Sequence, residues 1–291
     1  MKEKFIFGTL IFFAVVFIYI TFSYHVFSIK KIDNGATVLT TIATTTSDIK
    51  KIKVLIVPGH EPGFGGAWYR GLKEEDLTLS LAKKIQGILI NNPQLDVVML
   101  RDDNGWNYDI SNYITTNKIQ IEDWVNKHKN ITQNTHIYNK QKLLHIPLTL
   151  YGTNKWADEN NIDIILNIHF NSNPKIIGQA RYYKGFTIYT TGNKSSNSTS
   201  SKIFAADMMY ELLKIENKSN APKEDTGVVV DQDLIAVGSN NTLSVPSIIV
   251  EYAYIYENFM QATSTRNSFF EKAALSTATA IENYIANKLN K

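Results

Sequence analysis

The stretch Ile162-Asp-Ile-Ile-Leu-Asn-Ile-His169 (IDIILNIH) decides the fold. It is a short, strongly apolar run rich in β-branched residues, so it reads as a buried strand that ends on an imidazole. Upstream, Lys53–Pro58 (KVLIVP) is a second such run, stopped by Pro58-Gly59, and Asp96–Arg101 (DVVMLR) follows an Asn-Asn-Pro turn. Downstream come Gly185–Thr190 (GFTIYT) and Pro246–Tyr252 (PSIIVEY), with shorter strand candidates at Val228–Val230 and Leu234–Val237. Helical spacing fills the gaps. Leu77, Leu81, Ile85, Ile88 and Leu89 form one stripe between Glu74 and Asn92, and its first turn carries Glu74, Glu75 and Asp76, which suit the positive end of the helix dipole. Ser200–Leu213 and Ser268–Leu289 are the other two helices. Strands alternating with helices predict an α/β fold with a mostly parallel central sheet flanked by helices.

The other segments set the organisation. The chain has 291 residues, and its 30 basic and 27 acidic side chains leave a net charge of +3, too balanced to suggest nucleic acid as a partner. It has no Cys, which removes disulfides, thiolate metal sites and a cysteine nucleophile. Phe5–Ile29 holds no Asp, Glu, Lys or Arg; as a helix it would span about 37 Å, enough for a hydrocarbon core of roughly 30 Å. With no small-x-small cleavage site after it, the run predicts an N-terminal transmembrane helix, residues 1–31, holding the protein in the cytoplasmic membrane; secretion after signal cleavage is the alternative. Residues 32–51, with six Thr between Thr37 and Thr46, form a Thr-rich linker. Residues 52–291 are then a single folded domain, expected on the far side of the membrane. Within it residues 105–153 are polar and aromatic and predict a helical insertion, with helices over Ile119–Lys129 and Asn134–Lys142 and an interruption at Pro147. The insertion is expected to be a regulatory lid, a sugar- or partner-binding surface, or a packed helical hairpin over the sheet.

With cysteine absent, chemistry falls to His, Asp and Glu. His25 lies in the apolar N-terminal run, and His128, His136 and His145 lie in the polar middle stretch, where a surface or satisfied role is simplest. His60 and His169 both end apolar strands, and ligands of open α/β sheets gather outside the carboxyl ends of strands. Glu74 stands 14 residues after His60, across a glycine-rich turn, at a helix start above the same strand end. Glu251 interrupts the last apolar strand, where a carboxylate is costly to bury without a reason; a rim ion pair would be the ordinary one. Two His and one carboxylate leave zinc an open coordination position, the arrangement of catalytic sites, and an unligated carboxylate beside it suits a general base.

At these residues the chain resembles the zinc-dependent N-acetylmuramoyl-L-alanine amidases of the type 3 (AmiC/CwlV-like) catalytic domain. Five pieces come in that family's order: VLIVPGH (54–60), GLKEEDLTLSLAKKI (71–85), VVMLRDD (97–103), NIDIILNIHFNS (161–172) and VPSIIVEYAYIYEN (245–258). The resemblance implies that His60, Glu74 and His169 bind Zn2+ and that Glu251 is the catalytic glutamate. Glu74 is preferred to Glu75 because the family's ligand stands two positions before the helix Asp, here Asp76. It further implies a hydrolase of peptidoglycan that cuts between N-acetylmuramic acid and L-alanine, with an activating protein partner left open. The chain departs from the family in placing Glu61-Pro62 after His60 and Asn167 two residues before His169. The family's Arg and Ala-Asn before that strand are not evident, Ala157-Asp158 being the nearest match. An inactive cell-wall-binding relative and another zinc peptidase are the alternative readings.

Overall fold

The computed structural model describes residues 50–62, 65–132, 144–172 and 183–289. Four apolar strands run parallel: β1 (Ile52–Pro58), β4 (Leu95–Met99), β7 (Ile164–Asn171) and β10 (Ser247–Tyr254). Between the first two lie the short pair β2 (Trp68–Tyr69) and β3 (Leu72–Lys73), then helix α1 (Glu74–Leu89). After β4 come the short pair β5 (Arg101–Asp102) and β6 (Gly105–Trp106), then α2 (Tyr108–Thr116), α3 (Lys118–Thr132) and α4 (His145–Glu159). β8 (Thr187–Thr190), α5 (Ser198–Leu212) and β9 (Val228–Val230) precede β10; α6 (Asn258–Gln261) and α7 (Thr263–Leu289) follow it. The central sheet has the order β4-β1-β7-β10-β8-β9. The expected strand at Gly185–Thr190 is β8, but it pairs antiparallel to β10, so the sheet is mostly rather than wholly parallel.

Alternation along β7 assigns the two faces. Ile164, Leu166, Ile168 and Phe170 pack with Leu81 and Ile85 of α1, Phe204 and Met208 of α5 and Phe270 and Ile281 of α7. Ile165 points the other way, with Leu55 and Val57, onto Ile110 of α2, Ile121 and Val125 of α3 and Tyr151 of α4. A period of two in each strand thus buries both sides, which is why these strands read as continuous apolar runs.

Three expectations change. Pro147 does not interrupt a helix; it lies in the first turn of α4, where its missing N–H would have had no intrahelical partner. Leu234–Val237 is not a strand: Ile235–Val237 forms a 3-10 turn capped by Gly238 at φ 94°. The helix expected over Asn134–Lys142 lies outside the described residues. So do the apolar run Phe5–Ile29 and the Thr-rich segment up to Ile49. Among the described residues, no helix is long and apolar enough to cross a membrane.

Candidate metal centre

β1 and β7 are neighbours, and both expected imidazoles leave their carboxyl ends. After Pro58 the chain turns sharply: Gly59 donates its N–H to the Ile168 carbonyl (2.9 Å), and His60 takes a left-handed backbone, φ 61°. The two imidazole rings then stand 5.0 Å apart, nearly edge to face. A Cβ on Gly59 would lie 2.4 Å from His169 Cε1, so only glycine lets the ring pass so close to the β1 turn.

Glu74 enters from the opposite side, as the first residue of α1. The β2–β3 hairpin turns through Arg70 and Gly71, both with positive φ, and so delivers the helix start over the strand ends. Glu74 N–H donates to the Ala67 carbonyl (2.9 Å) while Ala67 N–H donates to Glu74 Oε2 (2.7 Å), a reciprocal pair that fixes the carboxylate. Oε2 is 3.2 Å from His60 Nε2; Oε1 is 3.0 Å from His169 Nδ1 and accepts from Phe170 N–H at 3.1 Å. Burial alone would raise the Glu74 carboxyl. The hydrogen bonds and positive charge of His169 and His60 outweigh it and hold the group well below the usual carboxylate range. One ligand-capable atom from each of His60, Glu74 and His169 lies within 4.8 Å of the others. Two nitrogens and one oxygen are the donor set of an open zinc site, so these residues fit that ion.

Glu251 is the register partner of His169 in the parallel β7–β10 ladder, so the two side chains leave the same face of the sheet. Its Oε2 is out of contact with solvent and has no hydrogen-bond partner among the described residues. Burial, with the charges of Glu74 and Glu224 added, pushes its carboxyl well above the ordinary value. An acid so placed readily holds a proton. Glu75, the rejected neighbour of Glu74, faces Lys73 at 3.4 Å and takes no part in the cluster.

Residues 54–283 match the sequence family described as N-acetylmuramoyl-L-alanine amidase. The chain belongs to this amidase family. Its fold is shared by the catalytic domain of CwlV, an amidase from Bacillus (Paenibacillus) polymyxa var. colistinus, at 16% identity and a TM-score of 0.52, covering 81% of this chain and 98% of that one. The amidase Ami1 from Mycobacterium smegmatis aligns at 15% identity and a TM-score of 0.56, over 83% of this chain and 100% of that one. The CwlD amidase from Clostridioides difficile, solved with the GerS lipoprotein, gives 16% and 0.54 over 81% and 99%. No curated protein sequence matches the chain.

The amidase fold recruits further residues that the sequence reading left unassigned. Arg101, buried at the start of β5, donates to the carbonyls of His60 (2.8 Å), Gly59 (3.0 Å) and Glu75 (2.8 Å), tying the segments that carry His60 and Glu74 together. Glu61 accepts from Trp106 Nε1 at 2.7 Å and lies 2.6 Å from His145 Nε2, so His145 is bound to the rim of the centre. Glu224 gathers Ser219, Tyr254, Tyr189, Thr187 and Asn171. His128 lies 2.8 Å from the Trp124 carbonyl, in keeping with a satisfied histidine, and His25 and His136 lie outside the described residues.

Proposed function

We propose that this chain is a zinc-dependent hydrolase of the amide between N-acetylmuramic acid and the L-alanine of the peptidoglycan stem. What supports the reading most is the meeting of His60, Glu74 and His169 near the half-buried Glu251, whose Oε2 is out of solvent and has no partner among the described residues. His60, Glu74 and His169 would hold the zinc, which supplies Lewis acidity to the carbonyl and lowers the pKa of water. Glu251 takes the proton of the attacking water as its oxygen adds to the lactyl carbonyl carbon. As the carbon–nitrogen bond breaks, Glu251 returns that proton to the alanine nitrogen, leaving a carboxylic acid and a free amine. Arg101 keeps the Gly59–His60 turn against α1 so that the donor set stays assembled.

We further propose that Phe5–Ile29 anchors the protein in the cytoplasmic membrane, with residues 52–291 as the catalytic domain outside it. The CwlD amidase was solved with a lipoprotein, and an activating partner is a parallel proposal for this chain. The chemistry is tested by digesting purified sacculi with wild type and Glu251→Gln and identifying products by mass. Wild type should free stem peptides with an L-alanine amino terminus and leave glycan chains whole, with one zinc per chain. Glu251→Gln should keep the zinc and lose about 10²–10⁴-fold in turnover. A wild-type chain that binds glycan and releases nothing would turn the reading into that of a wall-binding relative; cleavage elsewhere in the stem would make it a peptidase.

A further inference from the structure

A cavity of about 250 Å³ opens beside His60 and His169 and runs between the sheet and α4. Its walls are aliphatic, from Val57, Leu100, Leu150, Ile165 and Ile249. The ionisable groups that border it, Glu61, His60 and His169, stand at the strand ends, and both Glu61 oxygens are occupied, by Trp106 and His145. Four uncharged polar side chains line it, Thr149, Thr153, Asn154 and Asn167; Asn154 donates its amide to the Ile235 carbonyl (2.7 Å), and Thr153 and Asn167 are the two that matter here. Thr153, only 5% exposed, has a buried Oγ1 with no hydrogen-bond partner among the described residues. Asn167 Nδ2 spends both of its donors, on Ser247 Oγ (3.1 Å) and the Ile248 carbonyl (3.0 Å), which leaves the side-chain carbonyl as the group's acceptor.

Such a space accepts an uncharged group that is mostly apolar and brings one or two hydrogen-bonding atoms. Its aliphatic part, away from the histidines at the strand ends, has no cation for the charged part of a stem peptide, and four uncharged polar side chains are too few for a sugar's hydroxyls. The methyls of lactate and alanine would leave Thr153 unpaired and most of the volume empty. On the amidase reading, on which this inference rests, one group near the scissile amide combines both properties. It is the 2-acetamido substituent of muramic acid, on the ring carbon next to the one carrying the lactyl ether. We propose that the cavity is an acyl-amide pocket for this substituent, with Thr153 and Asn167 taking its polar atoms and the aliphatic walls taking its acyl chain.

The pocket exceeds an acetyl group, so it should tolerate longer acyl chains and reject a free amine, which would carry charge into an aliphatic space. The test compares muramoyl peptides bearing N-acetyl, N-butyryl or free 2-amino groups on the full zinc-loaded chain, with calorimetric binding of N-acetylmuramic and muramic acids as a second readout. The expected kcat/KM falls at least about tenfold from N-acetyl to free amine, with N-butyryl within a few-fold of N-acetyl. Leu150→Trp should cut the N-butyryl substrate more than the N-acetyl one; Ile146→Trp, at a half-exposed lining position, serves if the first variant does not fold. Equal turnover and binding of acetylated and free-amine sugars would overturn the pocket and leave the amidase standing, as would rejection of N-butyryl. Turnover of none of the three would overturn both.

Discussion

Two carboxylates lie close to Thr187 of β8 and meet opposite fates. Glu224 receives Ser219 Oγ (2.6 Å), Tyr254 OH (2.7 Å), Tyr189 OH (2.8 Å), Thr187 Oγ1 (2.9 Å) and Asn171 Nδ2 (3.0 Å). Glu251, whose backbone pairs with that of Thr187, leaves Oε2 without a partner among the described residues. Burial would raise both, but the donors around Glu224 outweigh burial and hold it below the ordinary value, whereas Glu251 is pushed well above it. A satisfied carboxylate is structural; an orphaned one is costly to fold and ready to exchange a proton. On the proposed reaction, the difference separates the part of this corner that holds shape from the part that exchanges a proton.

The contrast is open to direct attack. Glu224→Gln should cost about 3 kcal/mol at pH 7, because an amide presents donors to hydroxyls that already donate. By differential scanning calorimetry that is a drop of roughly 6–12 °C for a body of this size, while metal-free Glu251→Gln should hold or raise its Tm. Equal losses would erase the distinction. The pH dependence sharpens it. Glu224, lowered on folding, contributes stability that is present above the ordinary value of 4.5 and lost as pH falls through its folded value, so the Glu224→Gln deficit should shrink below about pH 4.5. Glu251, raised on folding, contributes in the opposite sense: its favourable term is present below 4.5 and lost as pH rises through its folded value. Metal-free Glu251→Gln should therefore gain on wild type toward neutrality, and parallel melting curves across that range would contradict the assignment. The smallest effect belongs to Thr187→Val, which removes one of five donors and should cost about 1 kcal/mol, or roughly 2–4 °C.

The parallel core was legible because its strands are covered on both faces and so keep almost no polar residue until they end. His169 and Glu251 interrupt apolar runs, and an ionisable group there announces itself by its cost. His60 and Glu74 were legible through a glycine-rich turn of the right length between a strand and a helix. Glu224 was not, because it sits in a polar loop, Pro222-Lys-Glu-Asp-Thr-Gly227, where a carboxylate is unremarkable until five distant donors converge on it. Arg101 stands in a two-residue strand, β5, and its guanidinium reaches the His60 and Gly59 carbonyls 41 and 42 residues away in the chain, a contact that no local pattern carries. The direction of β8 was hidden for the same reason, since a four-residue strand reads alike either way. At Pro147 the ordinary rule that proline breaks helices competed with its tolerance in a first turn, and only the position of the helix start could decide.

The left-handed backbone at His60 carries one more consequence. A residue with a Cβ in that region costs about 1 kcal/mol or more, and glycine would adopt the same angle without penalty. Folding and reactivity therefore prefer different residues at position 60. On the proposed chemistry, His60→Gly would relieve that strain while removing one of the three side chains that could hold an ion, so backbone ease and metal binding pull against each other at this position.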